Sequence, residues 1–450
     1  MKKSEQYHLI GGAGAGMSGL AQLLLWMGKT VTCSDRDYDA GKRLENIQKL
    51  KIAGVHFFPQ DGSGLNNDTK LVIVSTAIEK NNPDLQRAIK LNIPVIHRAE
   101  MLAQIVNGKN SIAVTGTSGK STVTGMIGWV LEQAGYDPVV INGAPLISWN
   151  TPATIGNVRL PAGGYKNISQ QQIWVFEADE SDRSLMAFYP SWAVITNASV
   201  DHFGEREAVE LFNQFAGHAK KGVVSPLYDP QLNEPSNLRI LPGTTEFTYH
   251  GVTFRVPLMG KHNAQNALLA IAILEKIGLE LIDIKNALST FRGIRRRMEK
   301  IGEVCGIHVF DDYAHNPAKI QATISCLKSF YSNIFVVWQP HGFGPLAKML
   351  DELERVLLEI CTNKDRIYLL PVYYAGGTVD IRVDSRMAAN RLRNAGINAS
   401  FVATRNELIQ QILPEVMSGD AIVVMGARDS SLSDLAYWIV SALAGKTKSF

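Results

Sequence analysis

The sequence predicts an α/β protein made of three successive units, each built around a mostly parallel sheet. The chain has 450 residues, which is too long for one ordinary hydrophobic core. Short apolar runs alternate with stretches of helical spacing along most of its length, and this alternation is typical of strand–helix–strand units. Two glycine-rich loops, at 11–19 and 115–122, each stand between an apolar run and a helical stretch.

The composition favours a globular protein and excludes several classes of partner. Hydrophobic residues make up 46% of the chain, charged residues 19%, and the formal net charge is +3. This balance predicts neither a nucleic-acid-binding nor a membrane-surface protein. The four cysteines lack metal-ligand spacing and are interpreted as reduced thiols of a cytoplasmic protein: Cys33, Cys305, Cys326 and Cys361. The chain shows neither a signal-peptide pattern nor an apolar run of the ~18–20 residues that a membrane span needs, so we expect it to be soluble.

The first hundred residues predict an α/β unit with a nucleotide-binding turn. Its strands are expected at 7–10, 30–33, 71–75 and 94–96. The loop at 11–19, here called the first glycine loop, contains G-x-G-x-x-G from Gly14 to Gly19, between a strand and a helix. Such a loop suits a pyrophosphate, and Asp35 follows the next strand at the distance of a ribose-binding acid. Taken alone, the loop indicates an NAD-dependent dehydrogenase, and the simpler alternative is a tight turn without a ligand.

The loop at 115–122, here called the second glycine loop, indicates phosphoryl chemistry. It follows a predicted strand at 111–115 and precedes a predicted helix at 122–134. Lys120 offers a point charge for phosphates, the backbone N–H groups can surround phosphate oxygens, and Ser121 can ligate Mg²⁺. The loop is shorter than the usual pattern, which places a glycine where Val114 stands. A nicotinamide dehydrogenase needs no such second loop.

Acidic and polar residues follow the predicted strands of the second unit at 173–176 and 192–196. Glu177 opens an acidic run at 177–182, at a strand end where ligands collect in parallel sheets, and its carboxylate suits Mg²⁺. His202 follows the next strand and is either a second metal ligand or a structural histidine. The predicted helix at 262–276 begins with Asn263 and Asn266, which can contact an adenine or cap the helix. The segment 151–172 is expected to be a loop or hairpin, and 226–256 a small antiparallel insert.

A third α/β unit is predicted from about residue 300, with strands at 307–310, 334–338, 366–370 and 421–425. Asp312 and His315 follow its first strand, where a carboxylate can accept from a ribose and an imidazole can approach a terminal phosphate. The arginine triplet at 295–297 offers guanidinium groups for phosphate charge, or is a solvated turn.

The motifs, in this order, resemble the Mur ligase family across nearly the whole chain. The resemblance rests on the first glycine loop and on nine further segments. These are "VSTAIEKNNP" (74–83), "HRAEML" (97–102), "GTSGKST" (116–122), "EADESD" (177–182), "DHF" (201–203), "GKHNAQNA" (260–267), "RRRME" (295–299), "DDYAHNP" (311–317) and "QPH" (339–341).

The resemblance implies an N-terminal Rossmann-like domain for a UDP-sugar (1–107), a central P-loop ATPase-like domain (108–298) and a C-terminal Rossmann-like domain for the amino acid (299–450). It implies an ATP- and Mg²⁺-dependent cytoplasmic ligase that adds L-alanine to the carboxylate of UDP-N-acetylmuramate through an acyl phosphate, in peptidoglycan precursor synthesis. The implied sugar-nucleotide contacts are Gly14, Gly16, Met17, Ser18, Asp35, Ser75 and Arg98. The implied ATP contacts are Gly116, Thr117, Ser118, Gly119, Lys120, Ser121, Thr122, Asn263, Asn266, Arg297 and Asp312. The implied metal ligands are Ser121, Glu177 and His202, the catalytic residues Lys120, Glu177, His202 and His315, and the amino-acid contacts His341 and Phe343.

The sequence departs from the pattern of the alanine-adding enzymes at several positions, so it predicts the type of reaction more firmly than the identity of the added amino acid. Histidines are usual in place of Ser118 and Asn316, and arginine and tyrosine in place of Gly342 and Phe343; "YYAGG" at 373–377 also differs. One alternative is a ligase that adds another amino acid or a recovered peptide, although recycling enzymes typically have tyrosine in place of Ser181. A non-catalytic nucleotide-binding relative is a further alternative, and the sequence does not predict the oligomeric state.

Overall fold

The computed structural model describes residues 5–41, 44–149, 155–198, 204–374 and 383–446. The chain divides into two compact units, Met1–Ile294 and Arg295–Phe450. Two mostly parallel sheets belong to the first unit and one to the second, which confirms the predicted α/β class. Within the described residues, no helix combines the length and apolar character that crossing a membrane requires. The domain boundaries at 107/108 and 298/299 stay predictions.

The N-terminal sheet has five parallel strands in the order β3-β2-β1-β4-β5. The elements are β1 (Gln6–Ile10), α1 (Ala15–Trp26), β2 (Thr30–Ser34), α2 (Arg36–Asp39), α3 (Leu44–Ala53), β3 (His56–Phe58), β4 (Thr69–Val74), α4 (Pro83–Lys90), β5 (Val95–His97) and α5 (Arg98–Val106). The four predicted strands are present within two residues of their expected ends. The prediction omitted the edge strand β3.

The central sheet has six strands in the order β11-β10-β6-β9-β7-β8, and the β7–β8 pair alone is antiparallel. The elements are β6 (Asn110–Thr115), α6 (Lys120–Gln133), β7 (Val139–Ile141), β8 (Val158–Arg159), β9 (Ile173–Glu177), β10 (Trp192–Ile195), α7 (Glu205–Ala216) and β11 (Gly222–Val224). The segment 151–172 was expected to be a loop or hairpin; its described part is mainly loop, with the two-residue strand β8 paired to β7 outside this segment, and 151–154 lie outside the described residues.

The antiparallel insert expected at 226–256 is present as a three-stranded meander, followed by two helices. The elements are β12 (Ser236–Leu241), β13 (Thr244–Tyr249), β14 (Val252–Val256), α8 (Lys261–Lys276) and α9 (Leu281–Leu288). Helix α8 is buried along nearly its whole length and shares an apolar core with α6 and the central sheet. This packing brings the polar first turn of α8 to the second glycine loop.

The second unit is one six-stranded sheet in the order β15-β16-β20-β17-β18-β19, with β15 antiparallel to β16. The elements are β15 (Glu299–Val304), β16 (Ile307–Asp312), α10 (Pro317–Lys328), β17 (Ile334–Trp338), α11 (Phe343–Ile360), β18 (Arg366–Leu369), α12 (Ser385–Asn394), β19 (Ala399–Phe401), α13 (Arg405–Glu415), β20 (Ala421–Met425) and α14 (Leu432–Lys446). The four predicted strands are present, and the edge strands β15 and β19 were not predicted.

The sheet orders explain where the polar residues gather. In the N-terminal sheet, β1 lies between β2 and β4, and in the central sheet β6 lies between β9 and β10. Ligands of open parallel sheets bind at the carboxyl ends of such inner strands, where the connections diverge to opposite sides. The first glycine loop follows β1 and the second follows β6.

Candidate active site

The second glycine loop has a backbone that requires its glycines. Gly116 has φ +125° and Gly119, the N-cap residue of α6, has φ +88°. A Cβ on Gly116 would collide with the Thr196 hydroxyl, and a Cβ on Gly119 would collide with Oδ1 of Asn266. Both glycines therefore serve a left-handed backbone and a close approach. The chain consequently turns into α6 with the helix N-terminus directed at the loop.

The end of strand β10 fixes this loop from the side. Asn197 accepts from the Thr117 N–H through its carbonyl at 3.1 Å and from the Ser118 N–H through Oδ1 at 3.2 Å. It also donates from Nδ2 to the Ser118 carbonyl at 3.0 Å. Asn197 belongs to a strand-end segment, but no sequence pattern assigned it a role.

Lys120 is held by two acceptors at the base of the loop. Its Nζ donates to the Gly116 carbonyl at 2.8 Å and to Oε2 of Glu180 at 2.6 Å. The Lys120 side chain is 18% exposed and that of Glu180 is 4% exposed, so this ion pair is largely shielded from water. Glu180 belongs to the predicted acidic run, but no local pattern indicates which carboxylate of that run contacts the lysine.

Glu177 ends strand β9 beside the second glycine loop. It is the register partner of Val114 on β6, one residue before that loop begins. Its Oε1 accepts from the Gly143 N–H. A Cβ on Gly143 would lie 2.7 Å from Oε2, so glycine is required there for the carboxylate to keep its position. Glu177 and Lys120 thus lie at one edge of the sheet, as predicted.

Asp179 lies between two cations. Burial alone would raise the pKa of Asp179, but Lys120, the Ser181 N–H and Arg98 outweigh burial and hold this pKa below its ordinary value. The Arg98 guanidinium contacts Oδ2 of Asp179 at 3.2 Å. The acidic run therefore contacts a cation from the second glycine loop and a cation from α5.

The remaining predicted residues of this site lie on α6 and α8. Ser121 and Thr122 are buried in the first turn of α6. Asn266 is buried against Gly119, and Asn263 donates from Nδ2 to the Met259 carbonyl at 2.7 Å. The structure thus places Asn266 beside the loop and bonds Asn263 to the backbone that precedes α8, whose N-terminus has no side-chain cap.

The first glycine loop is formed differently, without a cation of its own. Asp35 accepts from the Ala13 N–H at 2.9 Å and from the Asp37 N–H at 2.8 Å, so its carboxylate caps α2 and holds the loop. Met17 and Ser18 are 3% and 1% exposed. Met17 belongs to the hydrophobic core, so only its backbone can face a ligand. Ser75 directly follows β4 and accepts from the Ile78 N–H at 3.1 Å.

Two residues from elsewhere in the chain complete the surroundings of this loop. Arg98 begins α5, and its Nη1 lies 2.9 Å from the position that a Cβ on Gly16 would take. Asn157, just before β8, donates from Nδ2 to the Ala15 carbonyl and to the Ser18 hydroxyl, both at 3.0 Å. Asn157 is 1% exposed. Arg98 was proposed through the family resemblance, whereas Asn157 was missed because no local pattern marks it.

In the second unit, the structure brings His315 and His341 together, with ring centroids 5.1 Å apart. Burial, with the charges of Arg428 and Lys319, lowers the pKa of His341, so its imidazole is neutral at pH 7. Phe343 is the first residue of α11, and its ring centroid is 6.1 Å from that of Tyr374. These residues follow the carboxyl ends of strands in the same sheet.

Asp312 is more buried than a ribose contact needs. It is 7% exposed and accepts from the Met298 N–H at 2.6 Å and the Ala314 N–H at 2.8 Å. Burial raises the pKa of Asp312, although Arg297 opposes this shift. Arg297 lies over the Tyr313 ring, 5.0 Å from its centroid. The carboxylate therefore holds the start of β15 against the end of β16.

His202 lies outside the described residues, as do 375–377 of the "YYAGG" segment. Across the described ranges, no three histidine, cysteine, aspartate or glutamate side chains converge as a protein-only metal centre would require. A metal at Glu177 would therefore need further oxygen ligands from hydroxyl groups, water or a bound phosphate.

Comparisons with known proteins agree over the whole chain. Three family models match: the "Mur ligase family, catalytic domain" at residues 6–110, the "Mur ligase middle domain" at 114–215, and the "Mur ligase, glutamate ligase domain" at 296–428. A UDP-N-acetylmuramate–L-alanine ligase of Agrobacterium fabrum is 32% identical, over 98% of this chain and 97% of the relative. One from Synechococcus is 34% identical, over 94% and 90%.

Solved structures show the same fold. The UDP-N-acetylmuramate–alanine ligase of Thermotoga maritima superposes with a TM-score of 0.79 at 24% identity, covering 98% of this chain and 99% of that one. A murein peptide ligase of Psychrobacter arcticus gives a TM-score of 0.67 at 22% identity, with coverage of 98% and 99%. At these identities the likeness concerns the three-domain fold, which confirms the predicted arrangement of Rossmann-like, ATPase-like and Rossmann-like parts.

Proposed function

This chain belongs to the Mur ligase family, and from that premise we propose how its residues carry out the ATP-dependent addition of L-alanine to UDP-N-acetylmuramate. The reaction forms an amide bond in peptidoglycan precursor synthesis, and we place it in the cytoplasm. The full-length relatives with this name support the substrates, since they match nearly every part of the chain. A dehydrogenase built on the first glycine loop would leave the second loop and the second unit without a use.

The observation that carries the proposal is that the second glycine loop, with Lys120, and the Glu177 carboxylate follow neighbouring parallel strands at the same edge of the central sheet. Strands β6 and β9 are parallel neighbours, so the second glycine loop and the Glu177 carboxylate emerge at the same edge. A cation, a helix N-terminus and a carboxylate in this arrangement are what a nucleotide triphosphate with a divalent cation requires. The first glycine loop, in contrast, contains no cation within its own residues 11–19.

The residues present fit Mg²⁺ and ATP. Mg²⁺ prefers oxygen ligands, which Glu177 and the Ser121 hydroxyl can provide, with His202 as a further proposed ligand. The metal would supply charge neutralisation of the phosphate oxygens. The positive φ of Gly116 and Gly119 lets the loop turn tightly into α6, and we propose that phosphates bind the N–H groups at the start of this helix, since Asn197 engages those of Thr117 and Ser118. We place the adenine near Asn266 and Asn263.

The proposed reaction has two chemical steps. A carboxylate oxygen of UDP-N-acetylmuramate attacks the γ-phosphorus of ATP, which gives an acyl phosphate and ADP. The amine of L-alanine then attacks the acyl carbon, a proton leaves the nitrogen, and inorganic phosphate departs with one oxygen from the original carboxylate. We propose that Lys120 stabilises the charge on the transferring group, since its Nζ lies against the backbone of this loop, bonded to the Gly116 carbonyl.

We propose that the first glycine loop binds the pyrophosphate of the sugar nucleotide. The loop offers backbone N–H groups at the start of α1, and Arg98 provides the positive charge that the loop lacks. Ser75 and the backbone of Gly14, Gly16 and Met17 complete the set. Asp35 contributes by holding the loop.

We assign the amino acid to the second unit, with His341 and Phe343 as contacts. We assign His315 and Arg297 to the ATP side, and Asp312 contributes by holding the backbone next to Arg297. Gly342 has φ +80° and donates to the Tyr373 carbonyl at 2.9 Å. An arginine would be strained at this φ, so the backbone that follows His341 here suits glycine and not the arginine usual in the alanine-adding enzymes. The structure therefore gives a reason to test amines other than L-alanine as well.

The test is phosphate release from the purified chain with ATP, Mg²⁺ and UDP-N-acetylmuramate, in parallel with L-alanine, glycine, L-serine and the recycled tripeptide. The proposal predicts release with L-alanine above the others and a product heavier than the sugar nucleotide by one alanine residue. Release with a different amine would keep the reaction and change the substrate. Silence with every amine, while ATP and UDP-N-acetylmuramate both bind, would contradict the proposed activity.

A further inference from the structure

Glu180 forms an ion pair with Lys120 that has no role in the two chemical steps of the proposed reaction. Its carboxylate accepts from Nζ of Lys120 at 2.6 Å, while the Gly116 carbonyl accepts from the same Nζ at 2.8 Å. The Glu180 side chain is 4% exposed. A buried carboxylate therefore faces the lysine that we assign to the phosphates.

We propose that Glu180 is a positioning residue that holds Lys120 while the site is free of nucleotide and recaptures it when ADP leaves. The inference rests on the proposed role of the second glycine loop in binding ATP. In this view Glu180 weakens nucleotide binding and favours product release, whereas Lys120 strengthens binding. The two side chains have opposite effects on the same equilibrium.

Glu180 should lower the affinity for ADP in either of the two ways in which a phosphate can reach Lys120. If the phosphate replaces Glu180, the energy of a charge-assisted bond is subtracted from the binding energy. If Lys120 keeps Glu180 and offers its third N–H, the carboxylate remains close to the phosphate and repels it. Both routes lower the affinity for ADP. The bond from Lys120 to the Gly116 carbonyl keeps the lysine oriented in either case.

Burial amplifies the effect. Removing the Glu180 charge takes away part of the compensation of the Lys120 charge, to which Asp179 also contributes, and this loss destabilises the ligand-free protein. An anionic ligand then restores the compensation. The variant Glu180→Gln, which keeps the size of the side chain, should therefore lower the Tm of the free protein and increase the rise in Tm that ADP produces.

The same run offers a matched control. Asp182 is two residues away, and its carboxylate lies 3.6 Å from Nε2 of His97 instead of facing Lys120. Its Oδ1 accepts from the Ser184 N–H at 3.0 Å, which an asparagine can also do. The variant Asp182→Asn thus makes the same change in net charge without touching the lysine.

The experiment is calorimetry of ADP binding to the full chain without Mg²⁺, so that no effect passes through a metal. We expect Glu180→Gln to bind ADP on the order of tenfold more tightly than the wild type. The ADP affinity of Glu180→Asp should lie close to that of the wild type, since the carboxylate is kept. The ADP affinity of Asp182→Asn should equal that of the wild type. ADP should inhibit phosphate release more strongly in Glu180→Gln by the same factor.

Two outcomes would overturn the inference and are distinct from each other. Equal or weaker ADP binding by a folded Glu180→Gln would show that the carboxylate has a structural role or pre-orients the lysine for binding. A tenfold gain in Asp182→Asn as well would show a general charge effect. A wild type that binds no ADP would instead contradict the proposed function, and loss of ADP binding in Lys120→Ala checks that the loop is the site measured.

Discussion

The two glycine loops are alike in their place and different in their chemistry. Each joins an inner strand of a parallel sheet to a helix, β1 to α1 and β6 to α6. The second loop includes its own cation, Lys120, and a left-handed N-cap, Gly119. The first loop has an extended N-cap, Gly14, and takes its cation from Arg98, which lies far along the chain at the start of α5.

This difference shows why one loop can be interpreted from sequence and the other cannot. A phosphate site with a lysine inside the loop is complete within a short segment. A site whose charge comes from a distant helix is a product of the tertiary structure, and its local motif is shared with dinucleotide-binding proteins. We therefore expect variants of the second loop to affect ATP alone and variants around the first to affect the sugar nucleotide alone.

The largest expected effect comes from Lys120→Ala. Loss of the ammonium should reduce turnover on the order of 10³-fold, because the charge that develops on the transferring group loses its nearest cation. UDP-N-acetylmuramate binding, measured by calorimetry, should stay near the wild-type value. If a folded Lys120→Ala lost both turnover and UDP-N-acetylmuramate binding, the two loops would not bind different nucleotides as proposed.

Gly119→Ala should be nearly as harmful to ATP use. At φ +88° a Cβ would meet Asn266, so the loop must shift, at a cost of about 1–3 kcal/mol. Gly135 is the matched control, since it has φ +81° and no atom lies within 4 Å of the position that its Cβ would take. Both alanine variants should lower the Tm, but only Gly119→Ala should raise the KM for ATP. A raised KM in Gly135→Ala would show that the effect is one of stability.

Arg98→Ala should produce the opposite pattern. We expect the KM for UDP-N-acetylmuramate to rise about tenfold to a hundredfold, because the first glycine loop loses its positive charge. Arg98→Lys should recover part of the affinity, and the Kd for ATP should change little in either variant. An unchanged KM for the sugar nucleotide would exclude Arg98 as its contact.

The smallest effect is expected for Asn157→Ala. The change leaves the Ser18 hydroxyl and the Ala15 carbonyl without the Asn157 amide in a buried position, at a cost of about 1–3 kcal/mol. The Tm should fall, and the KM for UDP-N-acetylmuramate should rise by a smaller factor than in Arg98→Ala. An unaltered Tm would show that water replaces the side chain at no cost.

The strands and site residues differ in how well they could be predicted from the sequence. The strands that carry the two glycine loops were predicted because their apolar runs are continuous. The three-residue strands β3, β7, β11 and β19 were missed, whereas β5, of the same length, was predicted. Glu177 was predicted because it ends a buried strand. Asn157, Asn197 and Glu180 could not be assigned, because their partners lie 60 to 142 positions away.

The central claim is that the chain activates a carboxylate by phosphorylation, and one isotope measurement tests it directly. UDP-N-acetylmuramate labelled with ¹⁸O in its carboxylate is incubated with the chain, ATP, Mg²⁺ and L-alanine. The account predicts one labelled oxygen in each phosphate released, because the leaving phosphate takes an oxygen from the carboxylate. Unlabelled phosphate would show that ATP is hydrolysed by water and would contradict the account.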